Sequence, residues 1–123
     1  MKTASPAPAI LLIENDEVTL EIYQRELSNS FTVFAFTETE GVLETLAAQD
    51  IRALVIEPEI HSGQGWDLIE SIHRAFPDRD VPVIVCSTRD PCSENLAKGV
   101  TKYLTKPVLP RTLREKILGL LKL

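Results

Sequence analysis

Cysteine is scarce in this 123-residue chain: only Cys86 and Cys92 occur. Two are too few for a disulfide framework, so the expectation is a reduced, cytoplasmic protein. Long apolar runs are missing as well. None approaches the roughly 20 residues that a bilayer-spanning helix needs, so no membrane association is expected. The opening Met1-Lys2-Thr3-Ala4-Ser5-Pro6-Ala7-Pro8 lacks the apolar stretch and cleavage site of a signal peptide. Positive charge is in deficit, with 13 Lys and Arg against 18 Asp and Glu and a net charge of −5. Direct nucleic-acid binding asks for a basic face and is therefore disfavoured. The two histidines, His61 and His73, have no Cys or His neighbour to complete a zinc set. What remains is ordinary. A chain 44% hydrophobic and 25% charged suits one globular domain.

The pattern along the chain alternates between two periods. Ala4 to Ala9 is interrupted by proline and reads as a loose leader. Ile10-Leu11-Leu12-Ile13 is wholly apolar, as in a strand covered on both faces. From Asp16 to Leu27 the residues Leu20, Tyr23 and Leu27 share one helical face. Phe31 to Phe36 reads as a second strand. Thr37 and Glu40 have the spacing of a capping box, opening a helix with Val42, Leu43 and Leu46. Ala53-Leu54-Val55-Ile56 is a third strand, followed by a helix striped by Ile69, Ile72 and Phe76. Pro82 to Cys86 gives a fourth strand, and Asp90-Pro91 opens a short fourth helix near Cys92 to Lys98. Val100 to Leu104 is a fifth strand. Leu113, Ile117, Leu120 and Leu121 mark a final helix. Five strands alternating with five helices predict an α/β fold with a parallel, doubly wound sheet.

In such sheets function collects at the carboxyl ends of the strands. Those ends carry Glu14, Asn15 and Asp16, then Glu57, then Ser87 and Thr88, and finally Lys106-Pro107. A carboxylate rim faces one lysine. The first loop has no glycine and would repel phosphate, so a nucleotide site is not expected. Gly63-Gln64-Gly65 follows the third strand and lacks the third glycine of a dinucleotide fingerprint. No nucleophile–base pair is visible, and no enzymatic activity is expected.

These residues resemble the receiver domain of two-component response regulators over about Ile10 to Leu121. The most specific stretch runs from Leu96-Ala97-Lys98-Gly99 to Lys106-Pro107. The resemblance implies a flavodoxin-like sheet of order 2-1-3-4-5, with residues 1–9 as flexible leader and 10–123 as the receiver-like domain. It places the phosphoryl-accepting position at Glu57, counted back from Gly65-Trp66-Asp67-Leu68. The acidic pocket becomes Glu14, Asn15 and Asp16, with Glu14, Asn15 and Glu57 as the magnesium-holding positions. Ser87 falls on the phosphoryl-sensing hydroxyl, Tyr103 on the aromatic switch and Lys106 on the phosphoryl-contacting lysine. The bond before Pro107 is often cis in the family.

The departures fall where the chemistry lies. Glutamate at position 57 carries its carboxylate one bond further, roughly 1.5 Å, and misplacement of about 1 Å can cost about 10²-fold in an in-line transfer. Asn15 puts a neutral amide where the pattern has an anionic magnesium ligand, so the metal site is expected to be weak or lost. An ion pair between Glu57 and Lys106 is expected. One carboxylate charge against about −1.5 to −2 for a phosphoryl group makes any mimicry of the activated state incomplete. A module fixed in neither state and one held partly on both fit this pattern. Cys86 is expected to be an inert core thiol, Cys92 an idle surface thiol, His73 solvated and Trp66 partly core near the site.

The expected role is a pseudo-receiver that signals through protein contacts with a histidine kinase, an output domain or a second receiver. By resemblance, its contact face would include Asn95, Lys98, Lys102, Tyr103 and the final helix. Two alternatives stay open. One is a magnesium-dependent receiver phosphorylated at Glu59 or Asp16, and the other is a flavodoxin-like domain that binds a small ligand.

Overall fold

The computed structural model describes residues 7–60, 63–91 and 99–123. Five strands, β1 (Ala9–Ile13), β2 (Thr32–Phe36), β3 (Ile51–Ile56), β4 (Val83–Ser87) and β5 (Lys102–Thr105), form one sheet of order β2-β1-β3-β4-β5. Every pairing is parallel. The described helices are α1 (Glu17–Leu27), α2 (Val42–Ala48), α3 (Gln64–Ala75) and α4 (Pro110–Leu121). The fourth helix expected near Cys92 to Lys98 lies outside the described residues, so the final helix is α4 here.

Period-2 alternation explains why the inner strands are apolar on both sides. Leu11, Ile13, Leu54, Ile56, Val83 and Val85 pack with Val42, Leu46, Ile69 and Ile72 of α2 and α3. Ile10, Leu12, Ala53, Val55, Ile84 and Cys86 pack with Tyr23, Leu27, Leu113 and Ile117 of α1 and α4. Two helices cover each face among the described residues. None of them is long and apolar enough to cross a membrane.

Several element bounds shift by one or two residues, β3 for example opening at Ile51 rather than Ala53, and three changes have a clear local origin. Ala9, assigned to the leader, opens β1 and pairs with Thr32 and Ile51. The capping box at Thr37 and Glu40 does not form. Gly41 is the α2 N-cap instead, at φ 88°, without a side-chain hydrogen bond. There the left-handed backbone, which glycine adopts without strain, decides where the helix starts. The fifth strand begins at Lys102, because Gly99 turns at φ 88°.

Gly65 is required by contact rather than by dihedral angle. A Cβ there would lie 2.5 Å from Pro58 Cα, and the Gly65 amide donates to the Pro58 carbonyl at 3.1 Å. The first turn of α3 therefore sits directly on the backbone that follows Glu57, which fixes where position 57 leaves the sheet.

Candidate functional site at the carboxyl end of the sheet

Glu14, Glu57 and Lys106 each come one residue after a strand, and the sheet still holds each backbone. The Glu14 amide donates to Phe36 O at 3.0 Å, that of Glu57 to Ile13 O at 2.9 Å, and that of Lys106 to Ser87 O at 2.7 Å. Three side chains that are distant in sequence thus leave β1, β3 and β5 at fixed points on the same end of the sheet.

They meet. Lys106 Nζ donates to Glu14 Oε1 at 2.5 Å and to Glu57 Oε1 at 3.1 Å. The two remaining oxygens are also engaged: Glu14 Oε2 accepts from the Asp16 amide at 3.1 Å, and Glu57 Oε2 from the Glu59 amide at 3.2 Å. Glu14 is 3% exposed, Glu57 7%, and the lysine side chain 15%. Burial on its own would lower the lysine's pKa. The hydrogen bonds and charges of Glu14 and Glu57 outweigh it and hold the ammonium above its ordinary 10.5.

The other predicted site residues are placed differently. Asn15 and Asp16 are exposed. Asp16 is the N-cap of α1, accepting from the Thr19 amide at 3.1 Å and from the Thr19 hydroxyl. The Thr19 hydroxyl bond and then the amide bond hold its carboxyl below the usual range. Ser87 is fully buried, and its Oγ accepts from the Arg89 amide at 3.1 Å. Tyr103 Oη donates to the Arg89 carbonyl at 2.7 Å. Ser87 and Tyr103 are thereby joined through the backbone of Arg89, which sequence reading missed because no side-chain type marks it.

Glu59 was also seen only in part. Its Oε1 accepts from Trp66 Nε1 at 3.3 Å, so the buried indole reaches Glu57 through one residue. The Lys106–Pro107 bond is cis. An open cleft of about 370 Å³ beside Lys106 is lined by Thr19, Tyr23, Thr88, Pro107 and Val108. Among the described residues, no three His, Cys, Asp or Glu side chains converge as a metal-binding group.

Away from the site, burial pushes the Cys86 thiol up to about 12, in keeping with an inert core thiol. His73 is exposed as expected, but it is not simply solvated: Nε2 lies 3.3 Å from the Gly99 carbonyl. His61, Cys92, Asn95 and Lys98 lie outside the described residues.

Comparison with known proteins identifies the family and the fold. A family model for the response regulator receiver domain matches residues 10–118. The chain is 30% identical over 117 residues to Response regulator MprA of Mycobacterium ulcerans (strain Agy99), covering 92% of this chain and 50% of that protein. It is 29% identical over 118 residues to Transcriptional regulatory protein CssR of Bacillus subtilis (strain 168), covering 93% and 51%. The chain thus spans about half the length of the curated relatives it matches. Among solved structures, a CheY-like receiver domain from Methanospirillum hungatei JF-1 superposes with a TM-score of 0.82 at 23% identity, covering 94% of each chain. A BeF3-activated DrrB receiver domain gives 0.80 at 18%, covering 95% and 99%. These structural likenesses carry the fold, a flavodoxin-like α/β sheet of parallel order 2-1-3-4-5. With the family model spanning most of its length, the chain belongs to the response regulator receiver domain family.

Proposed function

We propose that this receiver domain signals through protein–protein contacts without aspartyl phosphorylation. The observation that carries the reading is Glu57. At the position where the resemblance puts the phosphoryl acceptor, the chain has a longer carboxylate, buried and drawn onto Lys106 at 3.1 Å. A nucleophile in that state has one oxygen on an ammonium and the other on the Glu59 amide. The alternative acceptors are occupied too. Asp16 caps α1, and Glu59 accepts from Trp66.

The partners in this reading are a histidine kinase, an output domain or a second receiver, met in the cytoplasm, and the domain is a signalling module rather than an enzyme. By resemblance the contact face includes Lys102, Tyr103 and α4. Tyr103 is half-buried there, with its hydroxyl on Arg89 O.

The test is incubation with a small phosphoryl donor and magnesium, following intact mass together with Trp66 fluorescence. Glu57→Asp combined with Asn15→Asp is the positive control. Wild type should gain no phosphoryl mass and show flat fluorescence while the control responds. Stoichiometric labelling of wild type overturns the reading in favour of a phosphorylatable receiver using another acidic residue. A large thermal shift with a small metabolite would instead favour the ligand-binding alternative.

A further inference from the structure

We infer that Lys106 is the resident counter-cation of Glu14 and Glu57, two of the positions that the resemblance assigns to magnesium, so that the domain neither binds nor needs magnesium. The inference deepens the reading above and rests on it. Its basis is the complete satisfaction of the two buried carboxylates. Each of the four oxygens of Glu14 and Glu57 has its own N–H donor: Lys106 Nζ twice, the Asp16 amide and the Glu59 amide.

Magnesium demands near-octahedral oxygen ligation at about 2.0–2.1 Å. Here the third position of the pattern is Asn15, a neutral and exposed amide, and the next acid, Asp16, is turned to the α1 N-terminus. An entering ion would have to expel an ammonium whose backbone is pinned to Ser87 O. It would also compete with the two amide bonds that fold the β1 and β3 exits over their own carboxylates. With the Lys106 ammonium between Glu14 and Glu57, the residues present do not fit the metal.

The consequence is a latent metal site. Lys106→Met leaves two carboxylates buried together with no cation, an arrangement that is costly unless a charge returns. A divalent ion is then the available replacement, and stability becomes linked to its concentration.

The experiment compares thermal midpoint and Trp66 fluorescence in EDTA and across a MgCl2 titration at matched ionic strength. Wild type is expected to show the same midpoint throughout and no saturable fluorescence change. K106M is expected to melt lower in EDTA and to recover as magnesium is added, by about 10 °C at one hundred times the Kd. A saturable magnesium response in wild type overturns the inference, and so does a folded K106M whose midpoint ignores magnesium. If K106M does not fold, the wild-type titration decides, and Lys106→Arg, which keeps a cation at the site, should stay as flat as wild type. Wild type that responds to magnesium but gains no phosphoryl mass sinks this inference alone. Wild type that is labelled by the phosphoryl donor yet flat to magnesium in the titration sinks the function proposed above and leaves the metal argument standing.

Discussion

The two ends of the sheet each use one long cation to tie chain segments together, but they tie different things. At the carboxyl end, Lys106 joins two buried side-chain carboxylates on β1 and β3. At the amino end, Arg79 gathers backbone carbonyls. It donates to Leu46 O, to Ile51 O at 3.4 Å and to Gln49 O at 3.5 Å, and its guanidinium lies 5.4 Å from the Phe76 ring centroid. Leu46 O is one of the last carbonyls of α2, whose final turn has no basic residue of its own. Arg79 completes that helix end from another part of the chain. One end balances formal charges away from water, whereas the other satisfies dipoles at a half-exposed surface. Loss of the cation should therefore hurt unequally.

The largest effect is expected at Lys106. Removing one partner of a buried ion pair leaves the other charge uncompensated and costs about 3–5 kcal/mol. K106M should lose stability of that order in urea unfolding without divalent metal. Adding Glu14→Gln to K106M should restore part of it by removing one stranded charge. If K106M costs less than the corresponding change at Arg79, the contrast between the two ends is wrong.

Alkaline pH sharpens the same contrast. Lys106 is held above its ordinary 10.5, so its stabilisation is complete below that pH and is lost as pH rises through the raised value. Two neighbours act in the same direction. Burial raises Cys86 from 9.0 to about 12 and Tyr23 from 10.0 to about 12, and both fold as neutral groups. Their stabilisation is intact below pH 9 and 10 and disappears towards 12. The urea midpoint should therefore fall progressively above pH 9. Tyr23→Phe should remove part of that slope. Arg79 keeps its charge across this range and should contribute none of it.

Arg79→Ala should come next, at about 1–3 kcal/mol, because carbonyls lose a charged donor but water can reach them. Amide exchange from Gln49 to Ala53 should accelerate more than exchange in β4. Arg79→Lys should recover little, since a single ammonium cannot span carbonyls that a planar fork reaches together.

The two ends also differ in how far the sequence announces them. Ile10 to Ile13 and Ala53 to Ile56 are apolar without interruption and end in acids, which marks buried strands and their functional ends at once. Lys106-Pro107 after Tyr103-Leu104 is equally local. The Glu57–Lys106 contact was therefore legible from spacing within the resembled fold. Glu14 was legible as a pocket residue, but its capture of the same ammonium depends on how far the sheet brings β1 and β5 round to β3. Arg79 could not be read, because its partners are carbonyls that every residue possesses. The same is true of Arg89 between Ser87 and Tyr103. The capping box at Thr37 failed for a related reason. A favourable side-chain spacing was outweighed by the left-handed backbone at Gly41, which starts α2 later.

Tyr103→Phe is expected to have the smallest effect, and it tests whether the Arg89 link carries any stability. The ring stays packed when only the hydroxyl is removed, and the pairing of Val85 with Tyr103 in the sheet is unchanged. The loss is one neutral hydrogen bond to an exposed segment, about 0.5–1.5 kcal/mol. Arg89 would then be anchored to the sheet end through its amide on Ser87 Oγ. Exchange of that amide should quicken while exchange in the β4 core does not. A loss larger than that of Arg79→Ala would mean that Tyr103 holds the exit of β4 in the way Lys106 holds those of β1 and β3. The carboxyl end would then have two anchors rather than one.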